Sequence, residues 1–251
     1  TSMAEKVIHL RIKRQDTPDS APYWEEFTVP YEPGHNVISV LMEIRKNPIN
    51  ARGQRTTPVV WECNCMEEIC GACTMLINGS VCQACSALIE KIGTELTLEP
   101  LTKFPVIRDL HVDRTKMFDA LKKVNAWIPI DGTHDMGEGP RLAPKDQEEG
   151  YRLAKCMTCG CCMEACPQYN SRSAFMGPSP IAQVRLFNIH PTGDMSREER
   201  LEILMGEGGI AECGNAQNCV KVCPKEVPLT KTLAELNKDV NLYGIFGMLK
   251  K

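Results

Sequence analysis

No part of this sequence offers the run of about eighteen apolar residues that a membrane-spanning helix needs. The opening residues TSMAEKVIHLRIK contain neither the apolar core of a secretory signal nor a twin-arginine pair, so the chain is expected in the cytoplasm, reaching a membrane only through a partner. Charge of one sign is also missing: 29 Lys and Arg face 32 Asp and Glu, a formal net charge of -3, which gives no reason to invoke nucleic acid. There is no GxGxxG loop to cradle a phosphate and no evident pairing of nucleophile and general base, so bond chemistry on a substrate is not expected of this chain. Histidine is scarce, with five in 251 residues. Hydrophobic residues at 43% and charged residues at 24% exclude wholesale disorder, and the length favours two domains of ordinary size over one.

Cysteine is what the sequence has in excess, with 14. In a reducing compartment thiols serve metals or redox chemistry, which sets a disulfide scaffold aside. Zinc is the stronger rival, because C-x2-C pairs also build zinc ribbons. Against it stand one tight four-cysteine run, two Cys-Pro endings and the shortage of nearby histidines.

The run CMTCGCCMEACP places Cys156, Cys159, Cys162 and Cys166 before Pro167, the complete C-x2-C-x2-C-x3-C-P pattern of bacterial ferredoxins. A second copy, AECGNAQNCVKVCP, keeps Cys213, Cys219 and Cys223 with Pro224, but Ala216 fills its second cysteine slot. In two-cluster proteins the last cysteine of each run ligates the cluster built by the other. Cys156, Cys159, Cys162 and Cys223 would then hold a four-iron cluster. Cys166, Cys213 and Cys219 supply only three thiolates, which suits a three-iron cluster with Ala216 at the vacant corner. Upstream, CNCMEEICGACTMLINGSVCQAC has the plant-type spacing Cys65-x4-Cys70-x2-Cys73 for a two-iron cluster, its fourth thiolate coming from Cys85 or Cys82. Gly71 suits a loop whose amides must approach sulfur, although an ordinary turn would equally take a glycine.

Around these motifs, Ile8, Leu10 and Ile12 alternate with polar residues as in a half-buried strand, and Phe27–Val29 completes a hairpin. Val37, Val40, Leu41 and Ile44 mark a helix capped by Asn36 and stopped before Pro48. TMLINGSV reads as a second hairpin turning at Asn78-Gly79, and ELTLEPL as a last strand. The fold class is therefore α+β: a β-grasp domain of plant-type ferredoxin character over residues 1–110, then a mainly helical, bacterial-ferredoxin-like domain over 111–251. The second half offers a helix with Phe118, Leu121 and Val124 on one face, a polar loop at 131–144, a capping box of Ser196 with Glu199, and helical patterns near 180–190 and 229–243. His111 and His190 read as packing or surface residues rather than ligands, and the tail LYGIFGMLKK as a docked terminus.

The ordered set CNCMEEICGAC, CMTCGCCMEACP and CGNAQNCVKVCP, with FMGP at 175–178, resembles the iron-sulfur subunit of succinate dehydrogenase and fumarate reductase over nearly the whole chain. That resemblance implies a 2Fe-2S cluster on Cys65, Cys70, Cys73 and Cys85, a 4Fe-4S cluster on Cys156, Cys159, Cys162 and Cys223, and a 3Fe-4S cluster on Cys166, Cys213 and Cys219. Cys63, Cys82 and Cys161 are left as non-ligands. It further implies a flavoprotein partner with covalent FAD, a membrane anchor, and single-electron transfer from FAD through the two-iron, four-iron and three-iron clusters to quinone beside the last. One such wire serves succinate oxidation and fumarate reduction alike. Pro167 is followed by Gln168-Tyr169-Asn170 and Cys213 by Gly214, which looks like the branch with a di-haem cytochrome b anchor and menaquinone. The chain is then expected on the cytoplasmic face of the membrane, held peripherally. The alternatives are a subunit of another multi-cluster oxidoreductase, of thiol-dependent fumarate reductase or glycerol-phosphate dehydrogenase type, and a zinc-binding interaction module.

Overall fold

The computed structural model describes residues 6–128 and 141–249. Most of the polar loop expected at 131–144 lies outside the described residues; its last residue, Pro144, opens a helix. The chain divides into two compact units, Thr1–Arg114 with Met157–Cys161, and Thr115–Cys156 with Cys162–Lys251.

The first unit is built on a five-stranded mixed sheet of order β2-β1-β5-β3-β4. Strand β1 (Val7–Arg14) alternates as its sequence does, burying Ile8, Leu10 and Ile12, and pairs antiparallel with β2 (Tyr23–Pro30) in the register Leu10↔Phe27. β2 starts four residues earlier than the apolar pattern indicates. The inward alternation there is carried by a charged residue: Glu25 pairs with Arg14, whose side chain is fully buried. Helix α1 (Val37–Lys46) begins where expected. The Asn36 side chain accepts from Ser39 N at 2.9 Å, Ser39 Oγ accepts from Asn36 N at 3.0 Å, and Val37, Val40, Leu41 and Ile44 enter the core. The hairpin of β3 (Thr74–Ile77) and β4 (Ser80–Gln83) turns on Asn78 and Gly79, both at positive φ. After the short helix α2 (Ile89–Ile92), β5 (Glu95–Glu99) inserts between β1 and β3, parallel to β1. A small ladder of β6 (Val106–Arg108) and β7 (His111–Val112) follows.

Asp109, between those two short strands, is fully buried. It accepts from Arg14 Nε at 2.8 Å, from Gln15 N at 3.2 Å and from Val60 N at 2.9 Å. Arg14 also donates to Thr57 O at 3.1 Å. One buried ion pair therefore ties the sheet to the segment that leads into Cys65.

The second unit is helical: α3 (Thr115–Lys123), α4 (Pro144–Ala154), α5 (Cys161–Glu164), α6 (Pro178–Ile189), α7 (Arg197–Met205), α8 (Asn218–Lys221) and α9 (Leu229–Leu249). On α3 Met117 is buried and Leu121 half-buried, Val124 just past its end is buried, and Phe118 is 55% exposed. The apolar face thus runs i, i+4, i+7 from Met117. The Ser196–Glu199 capping box does not form. Ser196 closes a 3-10 turn without a side-chain cap bond, and Glu199 instead accepts from Asn125 Nδ2 at 2.7 Å. Arg185 on α6 binds Glu149 of α4 at 2.6 Å and Asp239 of α9 at 3.5 Å, joining three helices at one cation. Toward its C-terminal end α9 exposes Leu242, Ile245 and Phe246, so residues 242–246 are less fully docked than the sequence indicates.

Removing one partner of a buried ion pair leaves an uncompensated charge. Asp109→Ala should destabilise the chain by about 3–5 kcal/mol. Lys13→Ala, which breaks a half-exposed pair with Glu99, should cost less than about 1 kcal/mol. Denaturant unfolding followed by tryptophan fluorescence checks both; equal effects would contradict the anchoring role of Asp109.

Candidate functional site

Between Pro58 and Cys73 the chain leaves regular secondary structure and folds back on itself. Met66 at φ 60°, Glu68 at φ 54° and Gly71 at φ 72° take left-handed backbone, which costs a non-glycine residue about 1–2 kcal/mol. The turns aim amides inward. Cys65 Sγ accepts from Glu67 N at 3.4 Å, Ile69 N at 3.3 Å and Cys70 N at 3.3 Å. Ala72 N donates to Cys70 Sγ at 3.5 Å. These three backbone bonds bring the Cys65 thiol down to about 6 and favour a thiolate at neutral pH.

The thiols of Cys65 and Cys70 are neighbours, and the thiol of Cys73 meets that of Cys85. Two pairs are the arrangement a two-iron cluster needs, with two thiolates to each iron. Cys73 is buried, and desolvation pushes it up to about 12, a cost that bonding to a cation would relieve. Cys82, the other candidate for the fourth position, turns its Sγ to Ser80 O at 3.8 Å. Burial, then the charge of Glu68, pushes that thiol up to about 11. Cys63 packs against the hydrophobic core.

Gly71 also makes a close approach. A Cβ there would lie 2.7 Å from both Cα and Cβ of Cys159 and 3.0 Å from Met157 O, so only glycine fits. Gly71 is therefore more than an ordinary turn glycine, because Cys159 and Met157 leave no room for a side chain. Its carbonyl and that of Ala72 each accept from Arg114, at 2.7 Å. Cys159 is lowered to about 7, first by a hydrogen bond with the Cys161 thiol, with the Arg114 cation adding to the effect. Cys161 accepts from Gln83 Nε2 at 3.5 Å and is fully buried. Neither Arg114 nor Gln83 carries a sequence signal, because their partners come from distant segments.

In the second unit, Cys166, Cys213 and Cys219 line one cavity together with Ala216, Gly214 and Pro178. Asn215 at φ 50° and Gln217 at φ 59° flank Ala216 and turn the backbone around it. Burial, and then the nearness of Cys166 and Cys213, raises the Cys219 thiol. Three thiols around a hollow with a methyl group at the fourth position fit a cluster that lacks one iron. Cys156, Cys162 and Cys223 also belong to this unit, with Cys223 Sγ accepting from Val227 N at 3.4 Å, while Cys159 belongs to the first. His190 uses Nδ1 to accept from Thr192 N at 3.3 Å, and His111 pairs with Glu62 at 3.3 Å. Both act as packing or pairing residues.

A β-grasp sheet presenting an amide-lined cysteine loop, in one chain with a helical unit that carries most of two cysteine runs, defines an iron-sulfur electron carrier. Residues 9–119 match the family of 2Fe-2S iron-sulfur cluster binding domains, and residues 152–227 match that of 4Fe-4S dicluster domains. The chain is 61% identical over 238 residues, 95% of its length and 94% of the relative's, to the succinate dehydrogenase iron-sulfur subunit of Bacillus subtilis. It is 30% identical over 241 residues to the fumarate reductase iron-sulfur subunit of Wolinella succinogenes, covering 94% of this chain and 98% of that one. Its fold is similar to a chain of the Mycobacterium smegmatis Sdh1 complex, with a TM-score of 0.78 at 24% identity over 94% of this chain and 96% of that one. The chain belongs to the iron-sulfur subunits of succinate dehydrogenase and fumarate reductase, and its function is electron transfer within such a complex.

Gly71→Ala combines a disfavoured positive φ with a clash against backbone and should remove most of the two-iron EPR signal. Cys70→Ala should remove it as well, and Cys63→Ala should leave it intact. A normal signal in Gly71→Ala, or its loss in Cys63→Ala, would contradict the geometry assigned to this loop.

Proposed function

We propose that this subunit carries single electrons between a flavoprotein partner and quinone at a membrane anchor. When bound, a 2Fe-2S, a 4Fe-4S and a 3Fe-4S cluster supply the one-electron centres. Cys65, Cys70, Cys73 and Cys85 hold the first, Cys156, Cys159, Cys162 and Cys223 the second, and Cys166, Cys213 and Cys219 the third. The observation that carries this reading is the cavity lined by Cys166, Cys213, Cys219 and Ala216, since neither a zinc ribbon nor a complete dicluster ferredoxin needs three thiols and a methyl group. The chain's own residues position and tune. Backbone N–H groups donate to Cys65 and Cys70, and desolvated thiols at Cys73 and Cys219 favour bonding to iron.

The flavoprotein partner is assigned covalent FAD, and the anchor a di-haem cytochrome b with menaquinone near the 3Fe-4S cluster. The anchor holds the subunit peripherally on the cytoplasmic face of the membrane. No helix among the described residues is long and apolar enough to cross a membrane. Functional domains are placed at 1–110 and 111–251.

Ala216→Cys restores the complete second run and should admit a fourth iron. The added thiolate charge lowers the potential of that centre, so succinate-to-quinone transfer should slow while FAD content stays normal. EPR of the oxidised complex decides the matter, because oxidised three-iron clusters give a signal that oxidised four-iron ferredoxin clusters lack. An undiminished three-iron signal in the variant would show that the pocket, not the missing thiol, excludes the iron.

A further inference from the structure

Arg114 is a residue of the first unit whose cation acts on both cysteine loops of that unit. Its side chain is 11% exposed. Nη1 donates to Gly71 O and Nη2 to Ala72 O, each at 2.7 Å, so the guanidinium grips the two-iron loop between Cys70 and Cys73. Gly71 is itself packed against Cys159, where an added Cβ would stand 2.7 Å from Cα. The grip therefore holds the positive charge close to the Cys159 segment, within electrostatic reach of its thiol.

This cation is poorly compensated by protein groups. Its ion-pair partner among the described residues is Glu62, whose Oε2 lies 3.8 Å from Nη2 and whose side chain is 39% exposed and shared with His111. Arg114 Nε has no hydrogen-bond partner among the described residues. Arg200, fully buried in the second unit, bonds through Nε, Nη1 and Nη2 to oxygen atoms of Asn125, Asn188, Gly193 and Trp127. A buried guanidinium with an idle donor and a distant carboxylate is costly unless another anion completes its environment. Cysteine-ligated iron-sulfur clusters are anionic.

We propose that Arg114 is a tuning residue, a fixed cation that raises the reduction potential of the cluster bound through Cys159. The inference rests on the ligand assignment above. Reduction adds one negative charge to the cluster, and a positive charge held in a partly desolvated site stabilises the reduced form more than the oxidised one. Glu62 opposes this by drawing on the same guanidinium. The two-iron centre feels Arg114 through the carbonyls of its loop and should move less.

EPR-monitored redox titration of the intact complex tests the assignment. Arg114→Gln should shift the four-iron midpoint downward, Arg114→Lys should leave it near the wild-type value, and Glu62→Gln should shift it upward. An unmoved four-iron midpoint in Arg114→Gln, or an equal drop in Arg114→Lys, would overturn the proposal. If Arg114→Gln fails to assemble, the Glu62→Gln shift decides, and a midpoint that stays or falls there also overturns it. Failure of the ligand assignment has a different signature: a four-iron signal that persists in Cys159→Ala, whatever the potentials of the Arg114 variants.

Discussion

Amide groups turned toward sulfur are the constraint on which the first unit depends. A thiolate of Cys65 needs donors, and Glu67, Ile69 and Cys70 provide them only because Met66 and Glu68 accept left-handed backbone. Such strain persists only where the surroundings over-determine it. The surroundings here are the buried Arg14–Asp109 pair, which fixes Val60 at the loop's entrance, and the Arg114 guanidinium, which fixes Gly71 and Ala72 near its exit. The sheet and its capped helix supply the rigid base, so a loop of unfavourable conformation stands on a core of ordinary favourable one.

The second unit solves a different problem, which is to keep open a hollow lined by Cys166, Cys213, Cys219 and Ala216. Left-handed Asn215 and Gln217 carry the backbone around Ala216, and the cavity wall includes Pro178 at the start of α6. Arg185 then braces α4, α6 and α9 through Glu149 and Asp239, while Arg200 draws together carbonyls from Asn125, Trp127 and Gly193. Charged residues inside this unit thus serve as cross-links, each satisfied by several acceptors.

Local patterns were readable wherever the physical cause is itself local. Asn36 caps α1 because its side chain reaches an amide three residues on, and Asn78-Gly79 turns a hairpin because both tolerate positive φ. The same reasoning misplaced the face of α3, where Met117 is buried instead of Phe118, and expected a Ser196–Glu199 box that tertiary contacts override by giving Glu199 to Asn125. It also shortened β2, because a charged Glu25 occupies an inward position that an apolar pattern would not reveal.

The sequence by itself determined the chemistry. Thiol spacing decides how many sulfurs a short loop can aim at one cluster, and the alanine at 216 is a covalent fact that no fold can reverse. Only the tertiary structure decided between Cys85 and Cys82 as the neighbour of Cys73, since both lie within reach along the chain: Cys82, on β4, turns its Sγ to Ser80 O, while Cys85, past the end of that strand, meets Cys73. It alone made Gly71 more than a turn residue, because the atoms that exclude a side chain there belong to Cys159, 88 positions away in sequence. Arg14 with Asp109 and Arg114 with Gly71 are likewise pairings of distant residues, set by how the chain packs and therefore invisible to any pattern of neighbours.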